Sequence, residues 1–129
     1  MGIEVVCAFI LQKDKVWMGR RPPHKHMGGR LEFPGGKVDA GETQVEALKR
    51  ELLEELRVEA TVLSEAARIT FQYPEKIIHL TAYFVEISGD IQCVEHTEGV
   101  WIELDGSPQS DWAPADVELW NQFRATRIR

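Results

Sequence analysis

Apolar positions follow two different periods along the chain. Ile3 to Leu11 is a mostly apolar run rich in β-branched residues, which predicts a buried strand. Gln12 to Lys15 reads as a polar turn, and Val16 to Gly19 as the hairpin partner. Arg20 to Arg30 carries two prolines and two glycines and reads as irregular. Leu31 to Val38 reads as a short strand broken by a tight turn at Pro34, Gly35 and Gly36. The period then changes. Val45, Leu48, Leu52 and Leu56 recur at spacings of three and four, predicting a helix over Thr43 to Leu56 with one buried face. Beyond it, Ala60 to Leu63, Ala67 to Phe71, Ile77 to Ile87, Ile91 to Val94 and Gly99 to Leu104 read as strands, with a turn at Gly89 and Asp90. A last helix is predicted from Ala115 to Arg124, packing through Val117, Trp120 and Phe123 with Leu119 beside them. Strands on both sides of a central helix, closed by a terminal helix, predict an α+β domain layered as α/β/α. No repeat or linker interrupts residues 1–129, which read as one domain.

Composition narrows the class. At 43% hydrophobic, 129 residues suffice for one core. A formal charge of −6 argues against a stable nucleic-acid partner, since binding the nucleic-acid backbone needs a basic surface. It leaves room for a small phosphate ligand, because a bound cation reverses the local sign. Cys7 and Cys93 lie in apolar or strand-like surroundings and read as two buried free thiols. With no apolar run of about 18 residues and no basic-then-apolar start, the expectation is a soluble cytoplasmic protein without a membrane span.

Candidate chemistry concentrates between Gly35 and Val58. On the helical wheel Glu51, Glu54 and Glu55 fill a sector of about 100° beside the apolar stripe. Carboxylates that close repel one another unless a cation, a proton or full hydration intervenes. Oxygen-rich clusters of this kind suit Mg²⁺ or Mn²⁺, hard cations that also bind substrate phosphates. Arg50 stands four residues from both Glu46 and Glu54 and can brace the carboxylates. Three glutamates alone also suit a solvated helix face. The full spacing does not: Gly36, Glu42, Arg50-Glu51-Leu52, Glu54-Glu55 and Val58 together would arise by chance at roughly 10⁻⁸ per starting position.

The segment GKVDAGETQVEALKRELLEELRV resembles the Nudix box. One fixed position departs: the late glycine of the box is Arg57 here, and a positive φ at that residue would cost about 1 kcal/mol. The resemblance implies a Nudix α/β/α sandwich around a mixed sheet. It also implies a Mg²⁺-dependent hydrolase of pyrophosphate bonds, with Mn²⁺ as a substitute. By position, Glu51, Glu54, Glu55 and the carbonyl of Gly35 become metal ligands. Glu51 becomes the general base, with Glu54 and Arg50 in the catalytic set.

The similarity continues outside the box. RRPPHKHMGGRLEFPGGK and WAPADVELW resemble the MutT branch, whose members cleanse nucleoside triphosphates. Carried over by position, Arg21, His26 and Asp116 become substrate-binding residues. Arg21 also reads as a surface strand end, His26 as a solvated loop residue, and Asp116 as a cap of the last helix beside Pro114 and Asp111. An acidic residue is expected before Trp101, where Val100 stands, which leaves Glu95 or Glu98 to reach the metal, or a site that does without one. YPEKIIHLTAYF resembles CTP-pyrophosphatase relatives about as well as the 8-oxo-dGTP ones. The readings are therefore a triphosphate diphosphatase acting on nucleotides such as 8-oxo-dGTP, or a CTP or modified-dCTP pyrophosphatase. An RNA 5′-pyrophosphohydrolase, which the acidic charge disfavours, and a non-catalytic nucleotide sensor stand behind them.

Overall fold

The computed structural model describes residues 2–127. In chain order it contains β1 (Gly2–Gln12), β2 (Lys15–Arg20), β3 (Leu31–Glu32), β4 (Gly35–Lys37), α1 (Gln44–Leu56), β5 (Glu59–Tyr73), β6 (Lys76–Ser88), β7 (Glu98–Glu103) and α2 (Pro114–Arg127). The sheet runs β3-β2-β1-β6-β5, with β4 paired to β1 and β7 to β2. β1 and β6 are parallel and the other ladders antiparallel, so the sheet is mixed as expected.

Strand β1 is apolar from Val5 to Leu11 because both of its faces are covered there. Side chains alternate across a strand. Val6, Ala8 and Ile10 point to the layer containing Leu48, Leu52 and Leu56 of α1. Cys7 and Phe9 point to the opposite layer, with Leu119, Trp120 and Phe123 of α2. Phe9 is the hub of that second layer, its ring 4.6 Å from Phe33 and 5.2 Å from Trp120, centroid to centroid. Two helices on opposite faces of one sheet give the α/β/α sandwich.

Several expectations change. Ala60–Leu63 and Ala67–Phe71 are one strand, because the polar stretch between them is absorbed as a bulge around Glu65. Ile91–Val94 is not a strand. The N–H groups of Gln92 and Val94 donate instead to the carbonyls of Leu56 and Glu55 (2.9 and 3.0 Å), acceptors that the end of α1 leaves without helical partners. Cys93 is consequently exposed, and only Cys7 is a buried thiol; neither forms a disulfide. Val45 is 37% exposed, so the buried face begins at Ala47 and Leu48. A helical wheel fixes the direction of a side chain but not whether another element lies opposite it. No helix among the described residues is long and apolar enough to cross a membrane.

Candidate active site

The acidic helix begins and ends on well-defined local chemistry. Thr43 is its N-cap, accepting from the Glu46 N–H while the Glu46 carboxylate accepts from the Thr43 N–H. Glu46 is thus committed to the cap and does not brace Arg50. The helix stops at Arg57, which adopts the left-handed conformation (φ 58°, ψ 37°) and donates its N–H to the Leu53 carbonyl at 3.1 Å. The residue that replaces a glycine therefore accepts the glycine's backbone geometry.

Opposite the helix, β4 lays Gly35 and Gly36 against Cys7 and Val6 of β1. A Cβ on Gly35 would collide with the Val6 carbonyl, and one on Gly36 with the Glu51 carboxylate. Glycine is needed here for close approach: it lets Glu51 press onto the turn backbone.

Arg50 ties the turn, the following loop and the helix together. Its Nε and Nη2 grip Glu42 at 2.6 and 3.0 Å, Nη2 also donates to the Lys37 carbonyl at 3.1 Å, and Nη1 reaches Glu51 at 3.1 Å. Those hydrogen bonds from Arg50 hold the Glu42 carboxyl down at about 2. Glu54 is more than half exposed and only brushes Arg50, at 3.4 Å.

Glu55 is different. It lies roughly 20° from Leu48 on the wheel, inside the apolar stripe, and is buried. Burial pushes its carboxyl well above the usual carboxylate range. A hydrogen bond with Glu51 and the charges of Glu51, Glu95 and Glu32 add to the rise. Glu55 therefore keeps its proton at neutral pH when nothing else neutralises the pair.

Among the described residues, no three His, Cys, Asp or Glu side chains converge on one cation position. The geometry explains this, since Arg50 holds Glu51 from one side while Glu54 turns to solvent. The donor set nevertheless fits a hard divalent cation. Glu51 and Glu55 are close enough to share a hydrogen bond, and a cation can take the place of the proton between them.

A cavity of about 270 Å³ adjoins this turn, lined by Cys7, Arg21, Glu32, Gly35, Gly36 and Asp116, with His26, Tyr73 and Lys76 among its walls. It brings together the three substrate-binding candidates and the glycine turn. Arg21 is not a free cation: its Nη1 pairs with both Glu32 oxygens at 3.0 and 3.2 Å, and its Nε donates to the His26 carbonyl at 2.7 Å. The exposed His26 ring sits edge-on to Tyr73 at 5.8 Å. Asp116 is buried in the first turn of α2, which starts at Pro114. Its Oδ1 accepts from the Phe33 N–H at 3.0 Å, so its side chain ties the first turn of α2 to the backbone between β3 and β4. Burial pushes its carboxyl up to about 8 against the opposing pull of that N–H.

Of the two alternatives to Val100, Glu98 is spoken for by Arg20 at 2.5 Å. Glu95 is the one whose charge reaches Glu55, carried there by the segment docked on the end of α1. Two residues of the site escaped the sequence reading. Glu32 gave one faint signal, an acidic residue between the apolar Leu31 and Phe33. His96 gave none, because its burial depends on Trp17 and Gly19 in a distant strand.

The acidic helix faces a glycine turn beside a ligand-sized cavity, and the family and relatives that the chain matches make the protein a hydrolase of pyrophosphate bonds. The chain belongs to the Nudix family, whose NUDIX domain matches residues 5–122. It is 41% identical to the CTP pyrophosphohydrolase of Escherichia coli K12 across 97% of this chain and 93% of that one. It is 38% identical to the 8-oxo-dGTP diphosphatase of Haemophilus influenzae Rd, across 88% and 86%. Among solved structures, the E. coli ORF135 protein superposes with a TM-score of 0.86 at 41% identity, covering 97% of this chain and 90% of that one. The MutT protein of Methanosarcina mazei Go1 shares the fold, with a TM-score of 0.87 at 23% identity and coverage of 98% and 96%. Nudix hydrolases work with a divalent metal.

Proposed function

We propose that the protein is a Mg²⁺-dependent nucleoside triphosphate pyrophosphohydrolase, with Mn²⁺ as a substitute, acting on a free nucleotide in the cytoplasm. The observation that carries this reading is the single cavity shared by the glycine turn of the box and the buried Asp116. Phosphates and base can then occupy one continuous site. Glu51, Glu54, Glu55 and the Gly35 carbonyl would hold the cation, with the charge of Glu95 acting on Glu55. When bound, the cation would supply neutralisation of phosphate charge and a lowered pKa for the attacking water. Glu51 accepts a proton from the attacking water, Arg50 fixes the Glu51 carboxylate, and pyrophosphate leaves. Arg21 and His26 border the nucleotide, and Asp116 reads the base edge.

Two substrates compete. The MutT-type resemblance favours an oxidised purine such as 8-oxo-dGTP. A cytidine triphosphate is favoured by the 41% identity to the E. coli CTP pyrophosphohydrolase and by the chemistry of Asp116. A carboxyl that keeps its proton both donates and accepts, which matches the N3 acceptor and amino donor of cytosine. Pyrophosphate release from CTP, dCTP, dGTP and 8-oxo-dGTP, with Mg²⁺ and with chelator, tests the reading. Turnover of at least one of them, with Glu51→Gln slower by at least ~10²-fold, is expected. No release from any of the four, or an unimpaired Glu51→Gln variant, overturns it.

A further inference from the structure

His96 lies outside the family box and is among the few polar residues that the fold buries. A slot has been made for its ring. Gly19 and Gly99 pair across β2 and β7. A Cβ on Gly19 would stand 2.6 Å from the imidazole, and one on Gly99 would collide with the Trp17 indole. Trp17 closes the slot edge-on, 5.8 Å from the imidazole. The ring makes one polar contact, Nε2 to Glu32 Oε2 at 2.9 Å, while Nδ1 is buried without a partner among the described residues. Burying a polar nitrogen without a partner is costly, so an apolar ring would fill this slot more cheaply. What histidine adds is the hydrogen bond to Glu32. Facing it, Arg21 Nη1 binds the same carboxylate at 3.0 and 3.2 Å. Glu32 is thus clamped from two sides in the wall of the cavity, close enough to Asp116 and Glu55 for its charge to act on both.

We propose that His96 is a positioning residue that, together with Arg21, fixes Glu32 as a hydrogen-bond acceptor for the bound nucleotide. This rests on the nucleotide reading of the cavity. A carboxylate at Nε2 requires that nitrogen of His96 to carry a hydrogen. The group Glu32 accepts from is an amino or hydroxyl donor of the substrate. Comparing CTP with dCTP isolates the sugar hydroxyl, and comparing CTP with UTP changes the base amino group together with the N3 that faces Asp116.

The test is kinetic and spectroscopic. His96→Ala should raise KM about tenfold, the equivalent of one charge-assisted hydrogen bond, with kcat within about twofold. His96→Gln, whose amide nitrogen can stand near the position of Nε2, should restore most of the loss; His96→Asn, whose amide falls short of Glu32, should not. Combining His96→Ala with Glu32→Gln should cost no more than Glu32→Gln alone. If the alanine variant does not fold, the Gln-versus-Asn comparison decides. Long-range ¹H–¹⁵N correlation of the wild type should place the imidazole hydrogen on Nε2, whatever the turnover. Equal losses in the Gln and Asn variants, additive losses with Glu32→Gln, or a hydrogen on Nδ1 alone would each overturn the proposal. Failure of the nucleotide reading itself looks different: the wild type then hydrolyses none of the triphosphates.

Discussion

Asp116 concentrates the residue-scale physics of the site. A carboxyl raised to about 8 keeps its proton in the folded chain over a range where the unfolded chain has already lost it. Between about pH 4 and pH 8 the unfolded state therefore binds fewer protons, and stability falls as pH rises through that window. Asp116→Asn retains an oxygen for the Phe33 N–H and cannot ionise. It should flatten this slope and gain on the wild type by a few kcal/mol towards pH 8, read from denaturant midpoints across the window. Substrate preference should move as well. Below about pH 8 the neutral acid suits an adjacent acceptor and donor; above it the carboxylate suits two donors, such as the N1–H and amino group of guanine. The ratio of kcat/KM for CTP over dGTP should fall across that pH, and Asp116→Asn should remove the change. A pH-independent ratio in the wild type would mean that the base is read elsewhere.

At the scale of the element, α1 shows how one helix serves packing and chemistry together. Its capping box fixes the start, and a strained left-handed residue fixes the end. Arg57→Gly relieves the Cβ strain while giving the unfolded chain more freedom. The net gain should be about 0.5–1 kcal/mol with unchanged kinetics, measured by equilibrium unfolding and the same assay. A loss of stability would show that the Arg57 side chain contributes more than its backbone costs. The stop matters to the site because the carbonyls freed there bind the 92–94 segment, and that segment delivers Glu95 towards Glu55. Leu52, fully buried on the same helix, reports its packing: Leu52→Ala should cost about 2–5 kcal/mol.

For the whole molecule, the metal and the fold should be linked. Without a cation, the Glu51–Glu55 pair is accommodated by holding a proton in a buried place. Mg²⁺ binding should release that proton and stabilise the folded state by mass action. The melting temperature should therefore rise with Mg²⁺, and the rise should grow with pH as the proton becomes easier to displace. Calorimetry in buffers of different ionisation enthalpy should count close to one proton released, and Glu55→Gln should abolish the release. Chelation should remove both the activity and the thermal shift; activity that survives verified metal removal would rule out the mechanism.

The chain by itself determined the layered class, the central helix and its acidic face. These rest on local periods and spacings, which act between residues near one another in sequence. The glycine turn and the substitution at Arg57 were legible as single positions where glycine is expected, whereas the groups that press on the turn, Val6 and Glu51, come from elsewhere in the chain. Tertiary structure decided the rest. The merger of two predicted strands into β5, and the loss of Ile91–Val94 as a strand, depended on which partner offered hydrogen bonds. Glu55 is buried while Glu54 is exposed, although they are neighbours, because only one faces the sheet. Arg21, Glu32 and His96 form one unit from three separate segments, and the slot for His96 is cut by a glycine pair across two strands. Such long-range pairings leave no period in a sequence, because what sets them is the packing of surfaces that meet only once the sheet has formed.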